Sequence, residues 1–489
     1  MTDASPRDNA AFRQRDYVAG EFLDPEGDLG VWLCDPSTGE RIALQAATAP
    51  EVVERALAEA EAAHARGTWS DMPVEERAAL LERIADALDA RVADIAVVEG
   101  ASSGLPAPIA SAFAGSMSGS FRDVAAMIRE QVNPEILGEP DRPVELWRLP
   151  WGPTAILVPW NAAGAMAAKK TAYALGAGNT VILKPPEWAP FACTHLAEAI
   201  DEVGLPRGVF GMVHGGGDVG QALTGDPRVR AISFTGSVPT GRAVARAGAG
   251  NFTALQLELG GNNPVIVRAD ADVAASAASL AAGMVKLNGQ WCEGPGKVWV
   301  AAALHDEFVA ALLDALSTYT LGSHTEAVDI GPLAHESRRI DLQAQVDRLV
   351  SLGGQELVAA QPVPAGGWFW APRVVVGAPE GECVEEMFGP VVTVHSMDDE
   401  AAAIAAANAS PYGLAAYVFG TDIEGAMAVG RALRFGEVKV NGTSLLDMSE
   451  HSAQSFWRCS GLGGHGNRDL LAFFQGVQIV GMDRPGVPI

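Results

Sequence analysis

Short apolar segments alternate with helical stretches in the middle of the chain, and this alternation restricts the possible folds more than any other feature. The segments that predict strands are residues 155–158, 180–183, 209–213 and 231–234. Strands that alternate with helices predict a parallel sheet covered by helices. A ligand binds at the carboxyl ends of the strands in such a sheet, so the residues that follow these segments are the first candidates for a functional site.

A second alternation begins after Glu258. Its predicted strands are residues 265–267, 391–394, 415–419 and 437–440, which indicate a second α/β unit. The chain has 489 residues, which is too long for one ordinary hydrophobic core, so two or more domains are expected.

The N-terminal region is predicted to be helical scaffold. Residues 48–98 predict two amphipathic helices, in which apolar residues such as Leu81 and Leu88 recur at helical spacing. Thr48 and Glu51 have the spacing of a capping box at the start of the first helix.

Composition and charge exclude several classes of function. The net charge of −26 opposes binding to a phosphate backbone, so no nucleic-acid partner is expected. No apolar run approaches the roughly 20 residues of a membrane span, and the polar segment from Met1 to Asp16 lacks the apolar region of a signal peptide, so we expect a cytoplasmic protein. The cysteines lack the paired spacing of a zinc site, so no metal is predicted, and they suit a reducing compartment: Cys34, Cys193, Cys292, Cys383 and Cys459.

Three short motifs supply the parts of a reaction at a carbonyl carbon. Cys292 ends the run Asn-Gly-Gln-Trp-Cys, and a thiolate is a soft, potent nucleophile toward carbonyl carbon. Glu258 opens a Glu-Leu-Gly-Gly turn and can activate water. Asn161 ends a Pro-Trp-Asn run, and its uncharged amide can donate hydrogen bonds to a developing alkoxide.

Four further motifs accompany these three in the sequence: Lys184-Pro185-Pro186-Glu187, Phe234-Thr235-Gly236-Ser237 with Gly241, Glu385-Glu386-Met387-Phe388-Gly389-Pro390, and Pro411-Tyr412-Gly413-Leu414. With these motifs in this order, the sequence resembles the aldehyde dehydrogenase superfamily from about Arg148 to Gly466. The resemblance implies an α/β fold with a Rossmann-like NAD-binding domain, a second α/β catalytic domain that carries Cys292, and a small β arm that bridges subunits.

The predicted domain boundaries follow from that resemblance and from the strand pattern. The NAD-binding domain is expected at residues 1–127 and 149–257, and the catalytic domain at 258–456. The bridging segments are expected at 128–148 and 475–489, where a strand-like tail could pair with the stretch around residues 143–148. The implied assembly is a homodimer or homotetramer.

The resemblance implies NAD as the cofactor. Residues 234–241 predict a strand end, a glycine turn and a helix start, which together favour a phosphate. Lys184 and Glu187 are expected at the adenosine ribose, and a carboxylate there favours NAD over NADP because it would repel a 2′-phosphate. The other expected cofactor contacts are Pro159, Trp160, Gly216, Gly236, Ser237, Glu386 and Phe388.

The implied reaction is aldehyde oxidation through a covalent intermediate. Cys292 attacks the aldehyde, and Asn161 and the backbone N–H of Cys292 hold the oxyanion of the thiohemiacetal. After hydride transfer, Glu258 activates the water that hydrolyses the thioester. Relatives that pass the acyl group to coenzyme A tend to lack this glutamate, which favours hydrolysis here.

The proton relay departs from the family pattern at one residue. Lys170 matches a lysine that supports Glu258 in the family, whereas the glutamate that completes the relay is replaced by His465. A histidine at this position could shuttle protons or could be a structural residue.

The substrate region departs most from the family. Residues 455–460 replace the usual Pro-Phe-Gly-Gly-x-Lys, and the small residues from Ala162 to Ala165 widen one wall. Met166, Trp291, Phe456 and Trp457 are expected to line the tunnel, which predicts a hydrophobic aryl or medium-chain aldehyde.

Two alternatives remain open at this stage. One is a semialdehyde substrate whose carboxylate meets Lys169 or Arg458. The other is a catalytically retired relative that serves as a binding or structural protein, against which the intact set of Asn161, Glu258 and Cys292 argues.

Overall fold

The computed structural model describes residues 10–445, 448–449 and 451–483. Much of the 1–16 segment on which the cytoplasmic expectation depends therefore lies outside the described residues. Residues 446, 447 and 450, and residues 484–489 of the predicted bridging tail, also lie outside them.

The described residues form short strands and longer helices throughout. The strands are β1 (Asp16–Val18), β2 (Glu21–Leu23), β3 (Gly27–Cys34), β4 (Arg41–Ala47), β5 (Glu135–Ile136), β6 (Val144–Pro150), β7 (Thr154–Leu157), β8 (Val181–Lys184), β9 (Phe210–Met212), β10 (Ala231–Gly236), β11 (Ala254–Leu259), β12 (Asn263–Val267), β13 (Pro295–Ala301), β14 (Gln355–Val358), β15 (Arg373–Val376), β16 (Val391–Met397), β17 (Ala415–Phe419), β18 (Glu437–Val440), β19 (Gln454–Ser455), β20 (Gly461–Leu462), β21 (Gly464–His465) and β22 (Gln475–Gly481). The α-helices are α1 (Pro50–Ala65), α2 (Val74–Asp89), α3 (Val92–Ser103), α4 (Ala107–Glu130), α5 (Ala163–Gly176), α6 (Phe191–Val203), α7 (Gly217–Gly225), α8 (Val238–Ala249), α9 (Val273–Val285), α10 (His305–Ser317), α11 (Glu336–Ser351), α12 (Glu400–Asn408), α13 (Ile423–Ala432) and α14 (Asn467–Phe473).

The first sheet contains all the strands predicted between residues 155 and 234. Its order is β2-β1-β9-β8-β7-β10-β11-β20, and β9, β8, β7, β10 and β11 are parallel to one another. The chain runs outward from β7 through β8 to β9, then returns to add β10 and β11 on the other side of β7. This reversal of strand order between β7 and β10 opens a crevice at their carboxyl ends, where α/β proteins bind ligands.

The second sheet contains the strands predicted after Glu258. Its order is β14-β15-β16-β13-β12-β17-β18, and only the edge strand β14 is antiparallel to its neighbour. β12 and β17 are fully buried, as expected for parallel strands covered on both faces. The predicted α/β class with two sheets is confirmed.

A third, small antiparallel sheet joins the terminal strand to an earlier segment. β22 pairs with β6 along its whole length, with Ile479 opposite Leu146, and β5 pairs with the other edge of β6. The predicted pairing of the tail with the stretch around residues 143–148 is therefore present. Val477 and Ile479 on β22 are largely exposed.

The N-terminal helices correct one sequence expectation. Thr48 does not cap α1, because its hydroxyl donates to the buried carboxylate of Asp16 (2.7 Å) and accepts from the backbone N–H of His214. The residue at the cap position is Ala49, which has no side-chain hydrogen bond to the helix. The predicted second helix is α2, with Leu81 and Leu88 fully buried, and a third helix begins at Val92.

Within the described ranges, none of the helices has the length and hydropathy needed to cross a membrane. The same residues contain no group of three or more His, Cys, Asp or Glu side chains arranged to hold a metal ion.

Candidate active site

A cavity of about 1350 Å³ opens at the carboxyl ends of the first sheet and extends to the loop that carries Cys292. It brings together most of the residues predicted from the sequence: Pro159, Trp160, Asn161, Met166, Lys184, Glu187, Gly216, Gly236, Ser237, Glu258, Trp291, Cys292, Glu386 and Phe388. Three described residues predicted for the site, Lys170, Phe456 and Trp457, are not among those that line it.

The loop before Cys292 has an unusual backbone held by side-chain amides. Leu287, Asn288 and Gly289 all have positive φ, and a Cβ on Gly289 would overlap the backbone at Pro390. The Asn288 amide donates to Gly104 O (2.9 Å) and Pro332 O (3.0 Å). These bonds fix the turn that presents the nucleophile.

A second amide fixes the other side of the nucleophile. Asn263 Nδ2 donates to the carbonyl oxygens of Cys292 (2.9 Å) and Gly294 (2.8 Å). The position of the thiol is therefore set by the backbone on both sides, which is the preorganisation that a covalent catalyst requires.

The thiol of Cys292 contacts the carboxylate of Glu258 directly. Cys292 Sγ donates to Glu258 Oε1 at 3.0 Å, and Glu258 Oε2 accepts from Thr235 Oγ1 at 3.1 Å. Burial and then the charge of Glu258 raise the pKa of the Cys292 thiol well above its usual value. Glu258 is buried and is placed to accept the thiol proton.

The glycines after Glu258 make room for a second carboxylate. Gly261 N–H donates to Glu386 Oε1 (3.1 Å), and a Cβ on Gly260 would overlap the Glu386 carboxylate. Burial raises the pKa of Glu386 to about 7. The Glu-Leu-Gly-Gly motif thus joins the predicted base to a residue predicted at the nicotinamide ribose.

Asn161 lies opposite Cys292 at the start of α5. Its Nδ2 donates to Gln290 O (2.8 Å), which uses one of the two amide hydrogens. Behind it, the Gly164 N–H at the first turn of α5 donates to the buried carboxylate of Glu99 on α3. Burial raises the pKa of Glu99 to about 7.

Lys170 does not reach Glu258. Its Nζ donates to Gln256 Oε1 (2.7 Å), and Gln256 Nε2 donates to Gly464 O (2.7 Å). Burial lowers the pKa of Lys170 to about 8, although the nearby charge of Glu258 opposes that shift. The structure therefore places an amide in contact with the lysine that was expected to relay protons.

His465 lines the cavity near Lys170. Burial, followed by the charges of Lys169 and Lys170, lowers the pKa of His465 well below its usual value. Among the described residues, its Nδ1 has no hydrogen-bond partner. The ring is therefore neutral at physiological pH.

The cofactor end of the cavity is built from strand ends and helix starts. Ser237 follows β10 and caps α8 by accepting from Thr240 N–H, and Gly216 stands at the cap position of α7. Two helix N-termini with exposed N–H groups are suited to a pyrophosphate. After β8, Lys184 Nζ contacts Glu187 Oε1 at 2.8 Å.

Aromatic rings form the flat walls of that end. Trp160 packs edge-on against Phe388 with ring centroids 5.5 Å apart, which suits a planar nicotinamide. The groups at this end fit NAD in charge and in shape: donors for phosphates, a carboxylate for a ribose hydroxyl, and aromatic walls for the ring.

Sequence reasoning missed a pair of residues at the start of α11. His335 caps α11, stacks on Trp188 at 4.2 Å, and contacts Trp160 edge-on. Arg338 also lines the cavity, and no described residue accepts a hydrogen bond from its buried Nε. Neither residue belongs to a local motif, and only the fold brings the start of α11 to Trp160 and Trp188.

The other end of the cavity is apolar. Ala162, Leu287 and Trp291 are buried in one cluster with Leu105 and Ala110, and Phe113 and Met166 pack against it. Trp291 Nε1 donates to Gly283 O (3.0 Å), which fixes the indole.

Two aromatic residues predicted for the tunnel lie elsewhere. Phe456 is buried beside His465, with ring centroids 6.5 Å apart. Trp457 is 38% exposed and packs against Gly413. Sequence reasoning also missed Glu293 and Phe113, which do line the cavity. A charged residue directly after the nucleophile was the available signal for Glu293.

Comparison with known proteins decides the family. The sequence model of the aldehyde dehydrogenase family matches residues 23–480. The chain belongs to this family. The identification predicted from the motifs is confirmed, and so are the fold and the enzyme class, an oxidoreductase that acts on aldehydes.

Relatives of different specificity have similar levels of identity to this aldehyde dehydrogenase. Lactaldehyde dehydrogenase of Escherichia coli is 32% identical over 475 residues, which cover 95% of this chain and 97% of the relative. Glutarate-semialdehyde dehydrogenase of Pseudomonas aeruginosa is 32% identical over 469 residues, covering 94% and 96%.

A solved structure with bound NAD+ has the same fold as this chain. The crystal structure of betaine aldehyde dehydrogenase from Staphylococcus aureus in complex with NAD+ superimposes with a TM-score of 0.90 at 28% identity, covering 97% of this chain and 96% of that one. The NAD+ bound by that relative agrees with the cofactor predicted for this chain.

Proposed function

We propose that the protein oxidises a hydrophobic aldehyde to its carboxylic acid with NAD, through a thioester on Cys292 that water activated by Glu258 hydrolyses. The observation that carries this proposal is the 3.0 Å contact between Cys292 Sγ and Glu258 Oε1 inside the cavity. A thiol paired with a base is the arrangement of nucleophilic catalysis.

The first step uses the resting contact. Glu258 accepts the thiol proton as the sulfur attacks the aldehyde carbon, and the carbonyl electron pair moves to oxygen. The second hydrogen of the Asn161 amide and the backbone N–H of Cys292 stabilise that oxyanion.

Loss of hydride from the thiohemiacetal carbon leaves a thioester. NAD, when bound, supplies the acceptor for this hydride. Lys184, Glu187, Ser237, Gly216, Gly236, Pro159, Trp160, Glu386 and Phe388 are the residues proposed to hold it.

Hydrolysis completes the cycle. After Glu258 has released the thiol proton to solvent, it takes a proton from water, the hydroxide attacks the thioester carbonyl, and the thiolate leaves as the acid forms and recovers a proton from Glu258. Lys170 is proposed to support this step through Gln256, with which it shares a 2.7 Å hydrogen bond.

The proposed substrate class follows from the lining next to Cys292. Ala162 leaves space where a larger residue would fill it, and Phe113, Met166, Leu287 and Trp291 offer apolar surface. Burial of apolar area contributes roughly 25 cal/mol per Å², so a bulky aldehyde gains binding energy that acetaldehyde cannot.

The semialdehyde alternative has less support from the lining. Arg458 donates to Ser410 O (2.9 Å) and Tyr412 O (3.1 Å), and neither Arg458 nor Lys169 lines the cavity among the described residues. Because one relative is a glutarate-semialdehyde dehydrogenase, the test below includes a semialdehyde.

The assembly and the location are proposed on separate grounds. The exposed edge strand β22 carries Val477 and Ile479, which supports a bridging arm in a homodimer or homotetramer. The domain division remains part of this proposal, with the NAD-binding domain at 1–127 and 149–257, the catalytic domain at 258–456 and the bridging segments at 128–148 and 475–489. A cytoplasmic location is supported by five free cysteines, including the nucleophile.

The test is kcat/KM with NAD for acetaldehyde, hexanal, phenylacetaldehyde and succinic semialdehyde. We expect hexanal and phenylacetaldehyde to be preferred, and Ala162→Leu to reduce the value for phenylacetaldehyde by about tenfold while acetaldehyde changes little. A preference for acetaldehyde or succinic semialdehyde would refute the hydrophobic pocket, and absence of NADH formation with every aldehyde would favour a retired relative.

A further inference from the structure

Glu293 is a carboxylate in the cavity that the reaction does not use. It directly follows Cys292, lines the cavity, and has a side chain that is 16% exposed. Burial raises its pKa to about 7, although Lys439 opposes the shift. A charged group that is partly desolvated beside the nucleophile acts strongly on any charge that the substrate brings.

The two lysines near Glu293 contact groups outside the cavity lining. Lys439 Nζ is 3.8 Å from Glu293 but 3.0 Å from Glu437, and it donates to Ser444 O at 2.5 Å. Lys286 donates to Thr443 O. Neither lysine is among the described residues that line the cavity, and neither is Glu437.

The cations that do line the cavity lie at the cofactor end. Lys184 is paired with Glu187, Arg246 is on α8, and Arg338 is on α11 beside the aromatic wall. Among the described lining residues, the charged groups around Cys292 are therefore Glu258 and Glu293, with Glu386 beyond the glycine turn.

We infer that Glu293 determines specificity by excluding aldehydes that carry a carboxylate and admitting those without negative charge. This inference rests on the proposed oxidation of aldehydes at Cys292. Its physical basis is that like charges repel in a site of low dielectric, and that none of the described residues lining this end of the cavity is a cation that could compensate a substrate carboxylate.

The test compares succinic semialdehyde with its neutral methyl ester, which share the reacting aldehyde, at about pH 8, where a carboxyl with a pKa of about 7 is ionised. We expect wild type to favour the ester by at least about tenfold in kcat/KM, and Glu293→Gln to reduce this ratio to about threefold or less. Glu437→Gln is the matched control, because it removes a neighbouring carboxylate that also pairs with Lys439 but does not line the cavity. Its ratio should stay within about twofold of wild type.

The ratio cancels any loss of turnover common to both compounds. If Glu293→Gln turns over neither compound, the same ratio is measured in Glu293→Ser. An unchanged ratio in the variants, or equal use of both compounds by wild type, overturns the role of Glu293 while leaving aldehyde oxidation intact. Failure of wild type to oxidise either compound would instead count against the proposed function.

Discussion

The two ends of the cavity are constructed in different ways. The cofactor end uses the carboxyl ends of β7, β8 and β10 and the starts of α7 and α8, so backbone groups supply much of its chemistry. The substrate end is formed by side chains from α4, α5 and the loop before Cys292, which are distant in sequence.

This difference separates what the family shares from what can vary. A βα turn in a parallel sheet presents N–H groups to an anion whatever its side chains are. An apolar pocket made of side chains changes with each substitution, and relatives at 32% identity are named for different aldehydes.

The largest expected effect separates chemistry from cofactor binding. Cys292→Ala should reduce kcat by at least about 1000-fold, because no other group can form the thioester, while NAD affinity measured by calorimetry should change by less than about threefold. Cys459→Ala is the control, since this thiol is also partly buried but lies outside the cavity lining. Turnover near the wild-type value in Cys292→Ala would contradict the assignment of Cys292 as the nucleophile.

The second prediction concerns the carboxylate behind the substrate end. Glu99 has a folded-state pKa of about 7 against an ordinary value of 4.5, so the folded state holds a proton that the unfolded state loses. Stability should therefore fall as pH rises from about 4.5 to about 7, by about 3 kcal/mol from this group.

Glu99→Gln should remove that part of the pH dependence. The measurement is the melting temperature at about pH 5 and about pH 7.5, whose difference should shrink in the variant. Glu293 and Glu386 act in the same direction, so some dependence should remain. A variant with the full wild-type difference would contradict the assignment.

The smallest expected effect is at the cofactor end. Wild type should prefer NAD to NADP by at least about tenfold in kcat/KM, and Glu187→Gln should narrow the preference to about threefold because a charge that repels the 2′-phosphate is gone. Glu59→Gln removes a surface carboxylate paired with Arg207 and should leave the ratio unchanged. An unaltered ratio in Glu187→Gln would mean that Glu187 does not face the ribose.

Sequence predicted the cofactor end better than the substrate end for a physical reason. Short apolar segments identify buried strands, and the residues after them must meet at one edge of the sheet, which correctly grouped Asn161, Glu187 and Ser237. The predicted nucleophile and base, Cys292 and Glu258, belong to local motifs, and the fold brings their side chains into contact.

Residues that arrive through tertiary packing could not be found in this way. His335 and Arg338 reach the cavity only because the fold places the start of α11 beside Trp160 and Trp188, and Phe113 does so from α4. Phe456 was placed in the tunnel by its motif, but it packs beside His465 without lining the cavity. The local sequence pattern also failed at Thr48, which does not cap α1 because its hydroxyl donates to the buried carboxylate of Asp16.

The central claim, that Cys292 carries the acyl group and Glu258 releases it, is tested most directly by the pre-steady-state burst of NADH in Glu258→Gln. The account predicts a burst that approaches one NADH per active site but forms more slowly than in wild type, because the thiol loses its proton without help from the Glu258 carboxylate; steady turnover is lowered by about 100-fold or more, because the thioester forms but is not hydrolysed. Wild-type turnover in this variant would contradict the account, and so would loss of the burst at a pH high enough to ionise the thiol without Glu258.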